Sequence, residues 1–362
     1  MTPSQIREFR QSLAAWYTVN QRPMPWRNTK DPYRIWVSEI MLQQTQVATV
    51  MGYYDRFIQA FPDVRTLALA DLQNVLKLWE GLGYYTRARN LHRAARQLLD
   101  QGDTRVPDTP EAFLRLTGVG NYTAAAVQSI AFNHPLAVVD GNVKRVLSRV
   151  FEMEIPVNDS SVHQEFSEKA ALLLDRSDPS GFNQAMMELG ALECRPKNPL
   201  CQDCPVRLFC RAVAGGTVAV YPKRNRKKTV PSRHRVAGAV FHQGKLLIKK
   251  RKTDGFLGGM WEFPDAPLKR NADPEQTCIS EIQKITGLTV TPFVLAARIK
   301  HVYTHFKLTL DLFLCTTQDP GIDLNGPDDI AWVTWSELEN YPLHRAVHKC
   351  LPGLLQKIST VP

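Results

Sequence analysis

The sequence predicts a multidomain protein with an all-α unit over residues 1–215, a basic connector over 216–235 and an α+β unit over 236–362. Three observations carry this. A chain of 362 residues is long enough for two or three domains, at roughly 100–200 residues each. Its apolar pattern has a helical period before residue 215 and an alternating one after 236. Charge also divides it. Of the net +10, residues 1–215 hold 24 basic against 22 acidic side chains, 216–235 hold seven basic and no acidic, and 236–362 hold 14 against 13. A composition 44% hydrophobic and 22% charged excludes a disordered chain, and 20 Gly with 24 Pro exclude a collagen-like one. No run reaches the roughly 18–20 apolar residues of a membrane span. MTPSQIREFRQSLAAWY lacks the basic, apolar and cleavage segments of a secretory signal, so a cytosolic location is expected.

In the first unit, Asp31-Pro32 supplies a cap and a proline at the first helical position. The run that follows, YRIWVSEIMLQQTQVATVMGYY, places Val37, Ile40, Met41, Gln44, Val47, Ala48 and Met51 on one face of a single helix. ADLQNVLKLWEGLG reads as a helix closed by Gly81 and Gly83. TRARNLHRAARQLLDQG, TPEAFLRLTG, NYTAAAVQSIAF, GNVKRVLSRVF and FNQAMMELGAL are further helical runs.

The connector, TVAVYPKRNRKKTVPSR, holds Pro222 and Pro231 and has no apolar period. It reads either as a solvated, self-repelling linker or as a strap for phosphates. Beyond it, VAGAVFH and KLLIKK around Gln243-Gly244 predict a β-hairpin. Pro274–Thr286 predicts a helix stopped by Gly287. AARIKHVY, FKLTLDLFLC and AWVTW predict strands, and RAVHKCLPGLLQKI a closing helix.

Seven cysteines divide into two sets. Cys278, Cys315 and Cys350 are scattered and read as core residues. Cys194, Cys201, Cys204 and Cys210 are spaced C-x6-C-x2-C-x5-C. Disulfides would suit a secreted chain, but reduced thiols at this spacing suit a metal centre. Zinc sites more often show two C-x2-C knuckles, and only one is present, so an iron–sulfur cluster is read ahead of zinc. Arg195, Lys197, Arg207 and Arg211 flank these thiols and could face a phosphate backbone.

LTGVGNYTAAAVQSIAF is a helix end, a Gly118-Val119-Gly120 turn and a new helix. The glycines bring backbone N–H groups near a ligand, and the helix N-terminus favours an anion. A plain helix–helix turn reads the same residues equally well. Asp140 ends the apolar run LAVV and precedes Gly141-Asn142 and a basic helix, where it could cap, react, or do both.

Taken together, LTGVG, VVDGNVKRVLSR and the four cysteines some fifty residues on resemble the helix–hairpin–helix DNA glycosylase superfamily. VSEIMLQQTQV and the strand-rich end resemble its MutY-type adenine glycosylases. The resemblance implies one [4Fe-4S] cluster on the cysteine loop. It also implies duplex DNA carrying A:8-oxoguanine or A:G mispairs as partner, a monomeric chain in the nucleoid, and hydrolysis of adenine from its sugar. Other repair proteins could bind the linker.

That chemistry needs a protonated carboxyl for the leaving base and an ionised one for the cation-like sugar. The resemblance puts the acid at Glu39, among Ile35, Trp36, Ile40 and Leu42, and the anion at Asp140. Without it, Glu39 would read as a surface helix residue. Bifunctional relatives carry a lysine after the hairpin. This chain has Tyr122, which implies a monofunctional enzyme with Tyr122 and Asn142 at the reacting carboxylates. The implied adenine pocket is Arg22, Trp26, Arg27, Gln184, Met187 and Glu188. Extruding a base costs a few kcal/mol. Gln44 and Tyr84 match the intercalating positions, Thr45 and Leu82 the contacts opposite, and Gly118, Val119 and Gly120 the hairpin contact.

The second unit resembles the family's Nudix-like domain, with LGGMWEFP at its entry. A working Nudix helix carries R-E-x-x-E-E to hold Mg²⁺. Here Lys284 and Ile285 replace both metal-holding glutamates, so no pyrophosphatase activity is expected. Tyr303-Thr304-His305 stands where the family has the Phe-Ser-His that senses 8-oxoguanine. A pyrimidine-lesion bifunctional glycosylase is the competing enzyme reading. A DNA-binding sensor with a degenerate site is the non-enzymatic one.

Overall fold

The structure is a computed structural model that describes residues 1–159, 161–226, 229–318 and 329–359, with Phe293 described in its backbone only. Lys227 and Lys228 of the basic connector lie outside the described residues. Two compact units divide the chain: Met1–Leu69 with Arg93–Lys227, and Ala70–His92 with Lys228–Pro362. The first is helical and the second carries the sheet. No helix of the described residues is long and apolar enough to cross a membrane.

In the helical unit, aspartates set the helix starts. Asp31, Asp140 and Asp178 each accept a backbone N–H in the first turn of Pro32–Leu42, Gly141–Phe151 and Pro179–Leu192. The core gathers Phe9, Leu13, Val143, Val146, Leu147, Phe166 and Leu189. Trp36 packs edge-on against Phe113 at 5.3 Å.

The long run after Asp31 is not one helix. Pro32–Leu42 stops, Gln44 turns left-handed at φ 59°, and Val47–Ala60 begins anew. Gln44 is therefore exposed at a turn, not on a shared helical face. Periodicity could not show this, because the apolar spacing continues through the break. The helices Pro3–Asn20, Val64–Leu69 and His163–Leu173 were not among those read from the sequence.

The connector is not a free strap throughout. Tyr221 is buried, its carbonyl accepts from Arg149 Nε at 3.1 Å, and Lys223 O accepts from Val157 N at 3.0 Å. A buried aromatic outweighs the surrounding charge here.

Among the described residues the sheet has seven strands: β1 Ser232–His242, β2 Lys245–Lys250, β3 Trp261–Glu262, β4 Asp265–Pro267, β5 Thr291–Val302, β6 Lys307–Thr316 and β7 Ile330–Thr334. The order is β3-β2-β1-β6-β5, with β4 beside β1 and β7 beside β2. β1 and β6 are parallel and every other pair is antiparallel. The predicted hairpin turns at Gln243 (φ 46°) and Gly244 (φ 79°), the left-handed pair that suits strand twist. Helix Pro274–Thr286 packs Cys278 and Ile282 on one sheet face, while Arg345–Ile358 packs Val347, Cys350 and Leu354 on the other. Gly238 lets the first helix approach, since a Cβ there would lie 2.3 Å from Ile282 Cδ1. β3 and β4 escaped the sequence reading because two or three residues show no alternation.

Candidate active site

Within the helical unit a cavity of about 570 Å³ opens between the helices Pro32–Leu42, Asn121–Phe132, Gly141–Phe151 and Pro179–Leu192. Glu39, Tyr122, Asp140 and Asn142 line it together. So do all six residues expected for the adenine pocket, and Thr45.

Glu39 lies on the inward face of a helix whose residues 35–41 are all buried. The phenol of Tyr122 donates to Glu39 Oε2 at 2.6 Å. Burial pushes the Glu39 carboxyl up to about 7, helped by the charge of Asp140 and opposed by the Tyr122 bond. Burial also raises the Tyr122 hydroxyl well above its ordinary value.

Asp140 is the N-cap of Gly141–Phe151. Its Oδ1 accepts from Val143 N at 2.7 Å and its Oδ2 from Asn142 Nδ2 at 3.0 Å. Burial raises Asp140 too, but the Val143 and Asn142 donors and the nearby Arg145 oppose that rise and favour the ionised form. The two carboxyls therefore sit in unlike settings, one with a phenol donor and the other at a helix N-terminus.

The pocket wall is a charged cluster. Arg22 Nη2 and Arg27 Nη2 meet Glu188 Oε2 at 2.7 and 2.9 Å, and Arg22 N donates to Oε1 at 2.9 Å. Burial would raise Glu188, yet these arginines bring it down to about 2. Trp26 packs edge-on against Tyr54 at 5.1 Å. Tyr17 donates to Gln184 Oε1 at 3.4 Å, and Met187 Sδ lies 4.0 Å from the Tyr122 hydroxyl.

Two residues at this site escaped the sequence reading. Arg145 donates to Asn142 Oδ1 at 2.8 Å, Gly190 O at 2.7 Å and Cys194 O at 2.7 Å. Gly190 lets Asn142 approach the helix Pro179–Leu192. Arg145 and Arg149, four apart in KRVLSR, are 6% and 3% exposed. Their spacing on one helical face, toward the core, was the available signal.

The four expected cysteines border one small cavity of about 20 Å³. Arg149 Nη1 lies 3.2 Å from Cys194 Sγ, and Cys210 Sγ lies 3.4 Å from Arg149 O. Burial, with the charge of the neighbouring thiols, pushes Cys204 up to about 12. Burial raises Cys201 and Cys210 as well, and four thiols crowded round one cavity suit a cationic centre that would bind their thiolates. No three His, Cys, Asp or Glu side chains among the described residues gather tightly enough for a single metal ion. Arg149, which touches the Cys194 sulfur, is not among the expected flanking arginines.

The hairpin residues form the turn before Asn121–Phe132: Gly118 is left-handed at φ 80°, Val119 is buried and Gly120 is the N-cap. Leu82, Tyr84, Tyr303, Thr304 and His305 are not in the cavity; they belong to the sheet-bearing unit. There Tyr84 and Thr304 share a hydroxyl hydrogen bond of 2.9 Å. Leu82 is 5% exposed, and His305 is exposed. Tyr303 packs edge-on against Phe256 at 4.9 Å. Its hydroxyl, which a phenylalanine would lack, is buried with no hydrogen-bond partner among the described residues.

Known proteins match this architecture. The model of the HhH-GPD superfamily base excision DNA repair proteins matches residues 37–171, and that of the NUDIX domain matches 236–352. An adenine DNA glycosylase of Homo sapiens is 33% identical over 402 residues, spanning 96% of this chain and 74% of its own. One of Rattus norvegicus is 34% identical over 398 residues, spanning 95% and 77%. One of Buchnera aphidicola subsp. Baizongia pistaciae is 32% identical over 305 residues, spanning 84% of each. Among solved structures, a thermostable thymine-DNA glycosylase superposes with a TM-score of 0.54 and 30% identity, over 59% of this chain and 98% of its own. With identity at this level over nearly the whole length, and a helical repair fold joined to a Nudix-like one, the chain belongs to the adenine DNA glycosylase family.

Proposed function

We propose that this glycosylase hydrolyses the N-glycosidic bond of adenine paired with 8-oxoguanine or guanine in duplex DNA and leaves the strand uncut. Such a step in base excision repair prevents G:C to T:A mutation. The observation that carries the reading is the pair of unlike carboxyls, Glu39 at about 7 and Asp140 on four backbone and side-chain supports, in one cavity.

Protonated Glu39 gives its proton to a ring nitrogen of the extruded adenine. The sugar–base bond breaks and its electron pair leaves with the base. Ionised Asp140 stabilises the cation-like sugar, and Asn142 holds that carboxylate in place. Water then adds to the sugar and its proton returns to Glu39. Tyr122 orients Glu39 through its 2.6 Å bond. Arg22, Trp26, Arg27, Gln184, Met187 and Glu188 hold the base.

Support for a monofunctional reaction comes from the lining. Among the described residues that line the cavity the cations are Arg22, Arg27 and Arg145, and none is a lysine. Guanidinium stays protonated and cannot attack the sugar as an amine would.

The four cysteines would hold one [4Fe-4S] cluster, which when bound supplies positive iron to neutralise the thiolates and tie their loop. Gln44, Thr45, Leu82, Tyr84 and the Gly118–Gly120 turn would contact DNA. Tyr303, Thr304 and His305 would meet the 8-oxoguanine, and the buried Tyr303 hydroxyl supports a Phe-like ring surface there.

The test is a duplex with one A:8-oxoguanine pair, treated with hot alkali after reaction, beside A:G and A:C controls. Cleavage at the adenine after alkali, and little before it, is expected. Intact DNA in both samples sinks the proposal.

A further inference from the structure

The sheet-bearing unit includes Ala70–His92, a segment of helical texture far from the sheet in sequence. Three of its polar side chains bind residues around the sheet. Gln73 donates to Gly259 O at 3.2 Å and accepts from Trp261 Nε1 at 2.8 Å. Glu80 Oε1 accepts from Leu343 N at 2.8 Å and meets His348 Nε2 at 2.7 Å. Arg89, 8% exposed, donates to Gly258 O at 2.8 Å and Gly255 O at 3.1 Å.

Within LGGMW, Gly259 makes this approach feasible and Gly258 lets the loop close on itself. Gly259 is left-handed at φ 77°, and a Cβ there would already lie 3.0 Å from Leu76 Cδ1. At Gly258 a Cβ would lie 2.2 Å from Thr253 O. The motif that signals entry to a Nudix-like fold thus also serves as a docking loop for residues 72–89.

Between Glu80 and Arg89 lies a turn with three left-handed residues: Gly81 (φ 93°), Gly83 (φ 77°) and Tyr84 (φ 50°). Glycine there has many alternative conformations, and a non-glycine at positive φ is disfavoured. Trp79 Nε1 and Arg87 Nη2 both donate to Gly83 O, at 3.1 and 3.0 Å, and Glu80 and Arg89 tie the two ends of the turn to the sheet-bearing residues. It presents Tyr84, whose hydroxyl reaches Thr304.

We propose that Glu80 and Arg89 are positioning residues: they fix the Gly81–Tyr84 turn to the 255–258 loop and to Leu343 and His348 around the start of the closing helix, so that discrimination of the base opposite adenine passes through them. The inference rests on the reading of Leu82, Tyr84 and Thr304 as DNA contacts. Neither residue lines the cavity that holds Glu39.

The experiment uses the full chain with Glu80→Ala, Glu80→Gln or Arg89→Lys. Single-turnover adenine release is measured opposite 8-oxoguanine and opposite guanine. Glu80→Ala is expected to lower the ratio of the two rates roughly tenfold, the size of one lost charged hydrogen bond. Glu80→Gln, which keeps an acceptor for Leu343 N, should lower it less. A loss that is equal on both duplexes, or an unchanged ratio, overturns the inference. Amide exchange at residues 81–85 in the DNA-free chain is the second readout. Faster exchange in Glu80→Ala and Arg89→Lys is expected, and unchanged exchange overturns the inference. Wild-type protein that releases no adenine from either duplex would sink the proposed function instead, and exchange would still decide this point.

Discussion

Gly190 touches Asn142 so closely that a Cβ on Gly190 would lie 2.6 Å from Asn142 Cβ and 3.1 Å from its carbonyl oxygen. Asn142 in turn donates to Asp140, so a contact between two helices helps set a carboxylate. Gly190→Ala must displace Asn142 or its helix. The expected cost is about 1–3 kcal/mol of stability, with adenine release slowed by about tenfold or more through the shifted Asp140. Thermal unfolding and single-turnover kinetics check both. Unchanged kinetics in a destabilised protein would remove Gly190 from the geometry of the site.

The Glu39 carboxyl, near 7, gives the reaction a pH signature. The step needs Glu39 protonated, so the rate should fall as pH rises through about 7. The Tyr122 hydrogen bond lowers that pKa, so Tyr122→Phe should move the inflection upward while slowing the reaction. Stability runs in the same direction as the rate. Between pH values of about 4.5 and 7 the folded chain binds a proton that the unfolded chain has lost, so Glu39 destabilises the fold increasingly as pH rises. Glu39→Gln should therefore unfold at higher temperature than wild type at pH 8, with release abolished. A rate profile flat across this window would show that Glu39 is not the acid.

The cysteine cavity predicts iron and sulfide in the purified protein, roughly four of each per chain for one cluster. Broad visible absorbance should accompany them. Cys204→Ser should lose both signals and most of the folded helical unit's stability, since metal binding couples to folding. Zinc in place of iron in freshly purified protein would count against the cluster.

Parts of the active cavity were legible from residue types, and its pocket residues from the family resemblance. Asp31-Pro32 announces the helix that carries Glu39, and Asp140 before Gly141 announces its own cap. Glu39 by itself reads as a surface helix residue; the resemblance singled it out, and the packed helix buries it among its apolar neighbours. The break at Gln44 was not legible, because an apolar period does not register one left-handed residue. Arg145, Arg149 and Gly190 were not legible as site residues either. Their importance lies in partners about 45 positions away.

By itself the sequence determined the helical and sheet-bearing halves, the caps and the spacing of the cysteine set, because each depends on local period, spacing or side-chain chemistry; the carboxyl pair was named by the family resemblance. Only the tertiary structure decided that Ala70–His92 joins the sheet-bearing unit, that Arg145 spans Asn142 and Cys194, and that the Tyr303 hydroxyl is hidden. Those outcomes turn on which distant surfaces exclude water against each other. Such burial is a property of the packed chain and leaves no periodic mark along it.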